Sequence, residues 1–133
     1  MVKYSWAVLL LSVFILSGCG KGPRLYPVSG TVTLDDKPVP DGDILFLDAN
    51  NQLGPDAGRI ADGRFAFQAK EGKKKVEIRA FHLQKPLKSD GSPGSGDSIA
   101  IGYIPERYNN KTTLTAEVVP SGSNQYEFKL SSK

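Results

Sequence analysis

From residue 26 onward, apolar and polar residues alternate with a period of two, the pattern of strands that keep one face dry and one face wet. In Val28–Leu34, Val28, Gly30, Val32 and Leu34 fall on one side and Ser29, Thr31 and Thr33 on the other. Val76, Ile78 and Ala80 alternate with Lys75, Glu77 and Arg79. Leu114, Ala116 and Val118 share a face, as do Tyr126, Phe128 and Leu130. Phe65 and Phe67 face inward together in Arg64–Gln68, and Ile44–Leu47 is apolar throughout, as in a strand covered on both faces or lying beside the tether. Turn signals separate these runs: Asp35-Asp36-Lys37-Pro38, Asp62-Gly63 and Glu71-Gly72. Pro120–Asn124 reads as a hairpin loop between the last two strands. Lys85–Ser98 loses the apolar period among Gly, Ser, Pro and Asp and reads as a mobile loop. Order returns at Ile99–Ile104, and Pro105-Glu106-Arg107-Tyr108 predicts a single helical turn with proline at its start. No segment predicts an amphipathic helix of ordinary length, and no tandem repeat is present. The elements predict an all-β sandwich over residues 26–133.

The first residues follow another logic. Lys3 precedes an apolar run, Trp6–Leu16, broken only by Ser12. The run has the length of a signal-peptide core and is shorter than the roughly 20 residues that span a bilayer. Leu16-Ser17-Gly18-Cys19 then resembles the lipobox of bacterial lipoproteins. Small residues at Ser17 and Gly18 let an extended backbone enter a peptidase cleft, and the Cys19 thiol is the nucleophile that takes a diacylglyceryl group. Cleavage frees the Cys19 amine for a further acyl chain, such as palmitate. Each buried methylene contributes about 0.8 kcal/mol, so two or three chains anchor stably where one does not. The expected organisation is a signal peptide at 1–18, a lipidated tether at 19–25 and the β-domain at 26–133. Gly20-Lys21-Gly22-Pro23-Arg24 forms the flexible part of the tether.

Several segments in order carry a further resemblance: Tyr26–Leu34, Lys37-Pro38-Val39, Asp62-Gly63-Arg64-Phe65 and Ile104-Pro105-Glu106-Arg107-Tyr108. Together with the lipobox they resemble the small lipoproteins of planctomycete-type bacteria that carry a carboxypeptidase regulatory-like, transthyretin-like domain. The resemblance covers nearly all of the mature chain. It implies a seven-stranded, Greek-key β-sandwich of the prealbumin type, serving as an accessory, adhesive or scaffold module. Its motifs are structural: a glycine in the first strand, a turn Asp-Gly and a Pro-x-x-Tyr corner. One departure is visible, since Glu71-Gly72-Lys73-Lys74 stands where such domains carry Pro-Gly-x-Tyr.

Composition narrows the chemistry. The formal net charge is +3, part of it from Lys3 in the segment expected to be removed, so the domain lacks the basic excess of a nucleic-acid binder. Cys19 is the only cysteine and His82 the only histidine. No intrachain disulfide is possible, and a zinc site built from several His and Cys is excluded. A hydroxyisourate hydrolase of the transthyretin-related type needs several histidines and a Tyr-Arg-Gly-Ser terminus; this chain ends Leu130-Ser131-Ser132-Lys133. An intradiol dioxygenase needs two histidines on iron. A Ser-His-Asp relay through His82 lacks any nucleophile-elbow pattern. The aspartates from Asp35 to Asp43 are interrupted by Pro38 and Pro40, without the spacing of a calcium loop, and aspartate is a common turn former. No catalytic, cofactor or metal-binding residue is assigned.

Two features remain for binding. Lys73-Lys74-Lys75 is the one basic run, suited either to anionic headgroups or an acidic polymer, or to keeping a strand start soluble and unpaired. Tyr108 is either a corner residue packed on the sandwich or a stacking platform for sugar. The sequence therefore predicts a non-catalytic lipoprotein of the cell envelope, facing the periplasm or the exterior. Its membrane contact is lipid on Cys19, and its β-domain is a scaffold or protein-interaction module that presents an edge strand or the Lys85–Ser98 loop to another envelope component. The alternative is a module that binds polysaccharide or another envelope polymer.

Overall fold

The computed structural model describes Gly20, residues 22–50 and residues 53–133. The expected signal segment 1–18 and Cys19 lie outside the described residues. Ten strands form along the described chain: β1 (Leu25–Leu34), β2 (Lys37–Pro38), β3 (Asp41–Asp48), β4 (Asp56–Ala61), β5 (Arg64–Lys70), β6 (Gly72–Arg79), β7 (Phe81–Gln84), β8 (Ile99–Gly102), β9 (Thr115–Val118) and β10 (Gln125–Leu130). A 3-10 turn, Glu106–Tyr108, follows Pro105, where the sequence predicts a single helical turn. The domain is all-β, as the alternation requires.

The main sheet runs in the order β10-β1-β5-β4-β3-β6-β9, with the short β2 beside β1. Its pairings are antiparallel except β1 with β10, which run parallel from Ser29↔Gln125 to Leu34↔Leu130. The hairpin β4–β5 pairs only at Ala61↔Arg64, so the sheet folds over at this point and curls. Two residues with positive φ, Asp62 (51°) and Gly63 (73°), supply the tight turn there, and Asp35 (49°) and Asp36 (65°) do the same between β1 and β2. These conformations suit turn aspartates and glycine and exact a strain cost from most other residues.

Curling brings the predicted inward faces together. Val28 and Val32 of β1, Ile44 and Phe46 of β3, Ile60 of β4, Val76 and Ile78 of β6 and Val118 of β9 are fully or almost fully buried. Phe46 sits at the centre: its ring meets Phe67 at 5.1 Å and Tyr126 at 5.6 Å, both edge to face. Phe65 and Tyr126 in turn stack beside Phe128 at 6.1 and 6.2 Å. One strand of the β4-β3-β6-β9 half thus packs its largest side chain on the β10-β1-β5 half. Full burial of such a ring contributes about 1.5–3 kcal/mol, and the edge-to-face contacts add to it. Gly30 is required by this closeness, since a Cβ there would lie 2.0 Å from the Tyr126 carbonyl oxygen and 2.7 Å from the Phe65 ring.

The Pro120–Asn124 segment is not a hairpin loop. Strand β9 pairs with β6 and β10 pairs with β1, at opposite ends of the sheet order, so the segment crosses between them. Side chains rather than a ladder tie the two end strands. The Tyr126 hydroxyl donates to the Glu117 carbonyl at 2.5 Å. The Asn124 side chain accepts from the Val119 N–H at 2.9 Å and donates to the Val119 carbonyl at 3.0 Å. The alternation of Leu114–Val118 and Tyr126–Leu130 gives each strand its face but not its neighbour, and a short loop with Pro and Gly fits either connection.

Register divides the domain into two ends. One end gathers Leu25, Asp48, Asp56, Lys70, Gly72 and Val118. The other gathers Leu34, Asp41, Ala61, Arg64, Arg79 and Leu130. The ten residues of β1 separate them by roughly 30 Å.

Candidate interaction surface

At the Leu34 end, a second small sheet leaves the first. Strand β6 stops at Arg79, Ala80 is buried, and its carbonyl accepts from the Tyr103 N–H at 3.2 Å. Beyond that bond β7 and β8 pair from Phe81↔Gly102 to Gln84↔Ile99 as a two-stranded ribbon separate from the main sheet. Every residue of the ribbon except Ile101 is exposed. Phe81 is 52% exposed, Leu83 76% and Ile99 51%, and Leu87 just beyond them is exposed too. Sequence reasoning recovers β8 but misses β7, because Phe81-His82-Leu83-Gln84 is short and its partner lies 15 or more residues on.

The segment between the strands, Lys85–Ser98, contains no strand but carries its own turn. The Lys88 N–H donates to the Ser92 carbonyl at 2.8 Å, and the Gly94 N–H to the Pro86 carbonyl at 2.7 Å, with Leu87 and Pro93 bridged. The Asp90 carboxylate accepts from the Ser92 hydroxyl at 2.6 Å and the Ser92 N–H at 2.9 Å, which holds its pKa below the usual carboxylate value. Aspartate and serine here do the turn-forming work that the composition implies.

A cleft of about 530 Å³ opens at the foot of the ribbon, between Phe81, His82 and Tyr103 on one side and Leu34, Pro38 and Val39 on the other. The His82 and Tyr103 rings lie 5.8 Å apart at 31°. Burial, together with the Asp41 charge, raises the Tyr103 hydroxyl pKa. Asp41 is itself held by Arg59, whose guanidinium donates to both carboxylate oxygens at 3.1 and 2.9 Å. Among the described residues the His82 ring has no hydrogen-bonded carboxylate or hydroxyl, so no relay is assembled around it. Among the described residues no three acidic, histidine or cysteine side chains gather as a metal site would require. The cleft is a largely apolar, aromatic-walled recess whose lining also includes Asp35, Lys37 and Asp41.

The residues singled out in the sequence fall elsewhere. Cys19 lies outside the described residues. Tyr108 serves as a corner: half-buried, its hydroxyl accepts from the Ser131 N–H at 3.1 Å, and the Arg107 guanidinium lies 4.9 Å from its ring centre. Arg107 and that N–H lower its pKa. Arg107 also donates to the Ser131 and Lys133 carbonyls, and the Ser132 N–H and hydroxyl donate to Asp35 at 3.0 and 2.5 Å. The chain end is therefore clasped to the β1–β2 turn, and one face of the Tyr108 ring is covered by Arg107.

The three lysines do not form one basic patch. Lys73 and Lys75 point outward and are exposed, whereas the Lys74 side chain is 1% exposed and points into the domain. Its Nζ stands 3.8 Å from the Asp56 carboxylate, which is also bonded by the Lys70 ammonium and accepts from the Lys70 N–H at 2.9 Å. Two ammonium groups thus share one carboxylate at the Leu25 end. The alternation Lys74, Val76, Ile78 assigns Lys74 to the inward face, and the run of like charges obscures that assignment.

No protein-family model matches the chain, and no curated protein matches it. Among solved structures, a 9R-lipoxygenase from Cyanothece PCC8801 is similar over 81% of this chain at 16% identity, with a TM-score of 0.35. The chain spans 16% of the length of that lipoxygenase. Among the described residues no helix is long and apolar enough to cross a membrane.

Proposed function

We propose that the protein is a lipid-anchored lipoprotein of a bacterial envelope, whose β-domain is a non-catalytic interaction module. The observation that carries this reading is the sequence Leu16-Ser17-Gly18-Cys19 directly behind an apolar run too short to span a bilayer. The arrangement of the domain supports it. The exposed residues Gly22, Pro23 and Arg24 lead into β1 at one end, and the apolar ribbon and cleft stand at the other, roughly 30 Å away. A module held at its Leu25 end offers that ribbon to partners away from the bilayer. In this reading the curled sheet is the seven-stranded Greek-key sandwich of the transthyretin-like lipoproteins. Its two halves are β10-β1-β5 and β4-β3-β6-β9, with Phe46 packed between them.

The test is the mass of the N-terminal peptide from the protein isolated from bacterial membranes. Diacylated or triacylated Cys19 is expected, with residues 1–18 gone, and Cys19→Ser is expected to keep them. An unmodified thiol on a chain free in solution refutes the reading. A second reading, binding of an envelope polymer, has one observation in its favour. An open trough of about 820 Å³ presents Ser29, Thr31, Arg64 and Gln125 on the outer face of β1, β5 and β10, a set of donors and acceptors suited to sugar hydroxyls. Retention of the mature protein on envelope polysaccharide, lost in Arg64→Ala, distinguishes that reading from the first.

A further inference from the structure

We infer that the Leu25 end of the domain is itself a membrane-contact surface, which settles on an anionic lipid bilayer through exposed apolar residues and lysines. The inference rests on the anchored-lipoprotein reading for the nearness of a bilayer, and on the structure for the surface that meets it.

The large apolar side chains left exposed fall in two places. Four belong to the ribbon and the loop behind it, and the other three are Leu25, Leu53 and Val119, which are 52%, 46% and 37% exposed. Leu25 opens β1, Leu53 lies in the connection from β3 to β4, and Val119 follows β9. These stretches are far apart in sequence, yet register brings them to one end. Leu25 pairs with Lys70, Asp48 with Lys74, and Val118 with Gly72, all where β5 gives way to β6. A single exposed leucine is unremarkable on any surface. Three that project from separate loops at the same end are suited to a plane. A bilayer meets whatever projects from an end and requires no groove or continuous patch between the projecting groups.

Cations stand among them. Arg24 precedes Leu25, and Lys73 and Lys75 lie on the outer face of the first half of β6. All three are exposed, and among the described residues none is held in an ion pair. Lys70 and Lys74 instead serve Asp56 within the domain. The other acidic residues at this end are Asp48, Glu71 and Glu117, with Glu117 opposite Lys73 across the ladder. Lys21 of the tether adds a further positive charge, so this end is net positive. Apolar side chains that dip below the headgroups, with lysines at the level of the phosphates, are the working parts of an interfacial contact.

The tether selects the bilayer as the occupant. Six residues lead from Cys19 to Leu25, and fully extended they reach about 20 Å. Acyl chains on Cys19 therefore keep this end, and not the ribbon roughly 30 Å beyond it, within reach of the headgroups. Because the anchor supplies the proximity, a few side chains suffice where they would not recruit a free chain. The contact then fixes orientation, with β1 leading away from the bilayer and the ribbon outermost.

The experiment uses tryptophan as a depth probe. The chain's only tryptophan, Trp6, lies in the segment expected to be removed, so one introduced ring reports alone. Full-length protein with Leu25→Trp, Leu53→Trp, Val119→Trp or Leu83→Trp is made in bacteria. The mature form is reconstituted in vesicles of phosphatidylcholine and phosphatidylglycerol, part of the phosphatidylcholine brominated. Emission from the first three positions is expected to shift to the blue and to be quenched by bromine, while Leu83→Trp emits as in water. Lys73→Gln with Lys75→Gln, or omission of phosphatidylglycerol, is expected to reverse the shift at Leu53→Trp and Val119→Trp. If these two emit like Leu83→Trp in acylated protein, the inference is overturned and the anchor stands. Equal quenching at all four positions overturns it as well, as does quenching indifferent to both the lysines and phosphatidylglycerol. A bare Cys19 thiol, read by mass in the same samples, refutes the anchoring reading, and the inference falls with it.

Discussion

Replacing Asp56 by alanine should destabilise the domain more than any single loss of a core methyl group. Asp56 is 8% exposed, accepts from the Lys70 ammonium and the Lys70 N–H, and stands 3.8 Å from the Lys74 ammonium. Its loss leaves Lys74, with its side chain 1% exposed, as an uncompensated charge in the domain and strands the Lys70 N–H. Breaking a buried pair by removing one partner costs about 3–5 kcal/mol, because the remaining charge keeps its desolvation penalty without its attraction. For a domain of this size that corresponds to a fall in Tm of roughly 12 °C or more. The opposite change behaves differently. Lys74→Met removes the surplus cation, leaves Asp56 paired with Lys70, and fills the same space with an apolar chain, so it should be neutral or stabilising. Asp56→Ala with Lys74→Met should then recover a large part of the loss. Thermal unfolding followed by circular dichroism, with urea titration for the free energies, measures all three. If Asp56→Ala changes stability by less than about 0.5 kcal/mol, the level of an ordinary surface change, the buried-charge argument fails. It fails equally if Lys74→Met costs as much as Asp56→Ala.

Two further outcomes follow from the geometry. Gly30→Ala should cost about 1–3 kcal/mol, read as a lower urea midpoint at unchanged slope, because the new Cβ would sit against the Tyr126 carbonyl and force β1 away from β10. The clasp between Asp35 and Ser132 should weaken in acid. Hydrogen bonds from the Ser132 hydroxyl and N–H hold the Asp35 pKa below its ordinary 3.8, so its contribution is present above that value and is lost as pH falls through the lowered one. Asp35→Asn should remove that part of the acid sensitivity between wild type and variant while leaving the profile above pH 5 parallel, and an unchanged difference at low pH would count against the clasp.

What the sequence discloses about this fold is its local half. Period-two alternation assigns the buried faces of β1, β6, β9 and β10 residue by residue, since burial on one side of a pleated strand leaves its mark in the strand itself. Asp62-Gly63 and Asp35-Asp36 disclose their turns because left-handed backbone restricts which residues stand there. Pairing between distant strands leaves no such mark. Nothing in Leu114–Leu130 distinguishes a hairpin from a crossing, and four residues of β7 are too few to show a period when their partner lies beyond a fourteen-residue loop. The Lys85–Ser98 loop marks the place of the ribbon through its composition while the strands beside it stay hidden, and the conspicuous charge and aromatic signals serve the domain itself: Lys74 neutralises Asp56 and Tyr108 holds the chain end. The signal for the ribbon was the opposite kind, a stretch of strand without charge.

The parallel pairing of β1 with β10 has a mechanical consequence. A pull applied before Leu25 and resisted at Lys133 draws the two strands in opposite directions along their length. The six residue pairs from Ser29↔Gln125 to Leu34↔Leu130 then carry the load together instead of parting one by one. A domain strung between its first strand and its last in this way resists stretching in shear, and yields far more readily to a force that peels the same strands apart from one end.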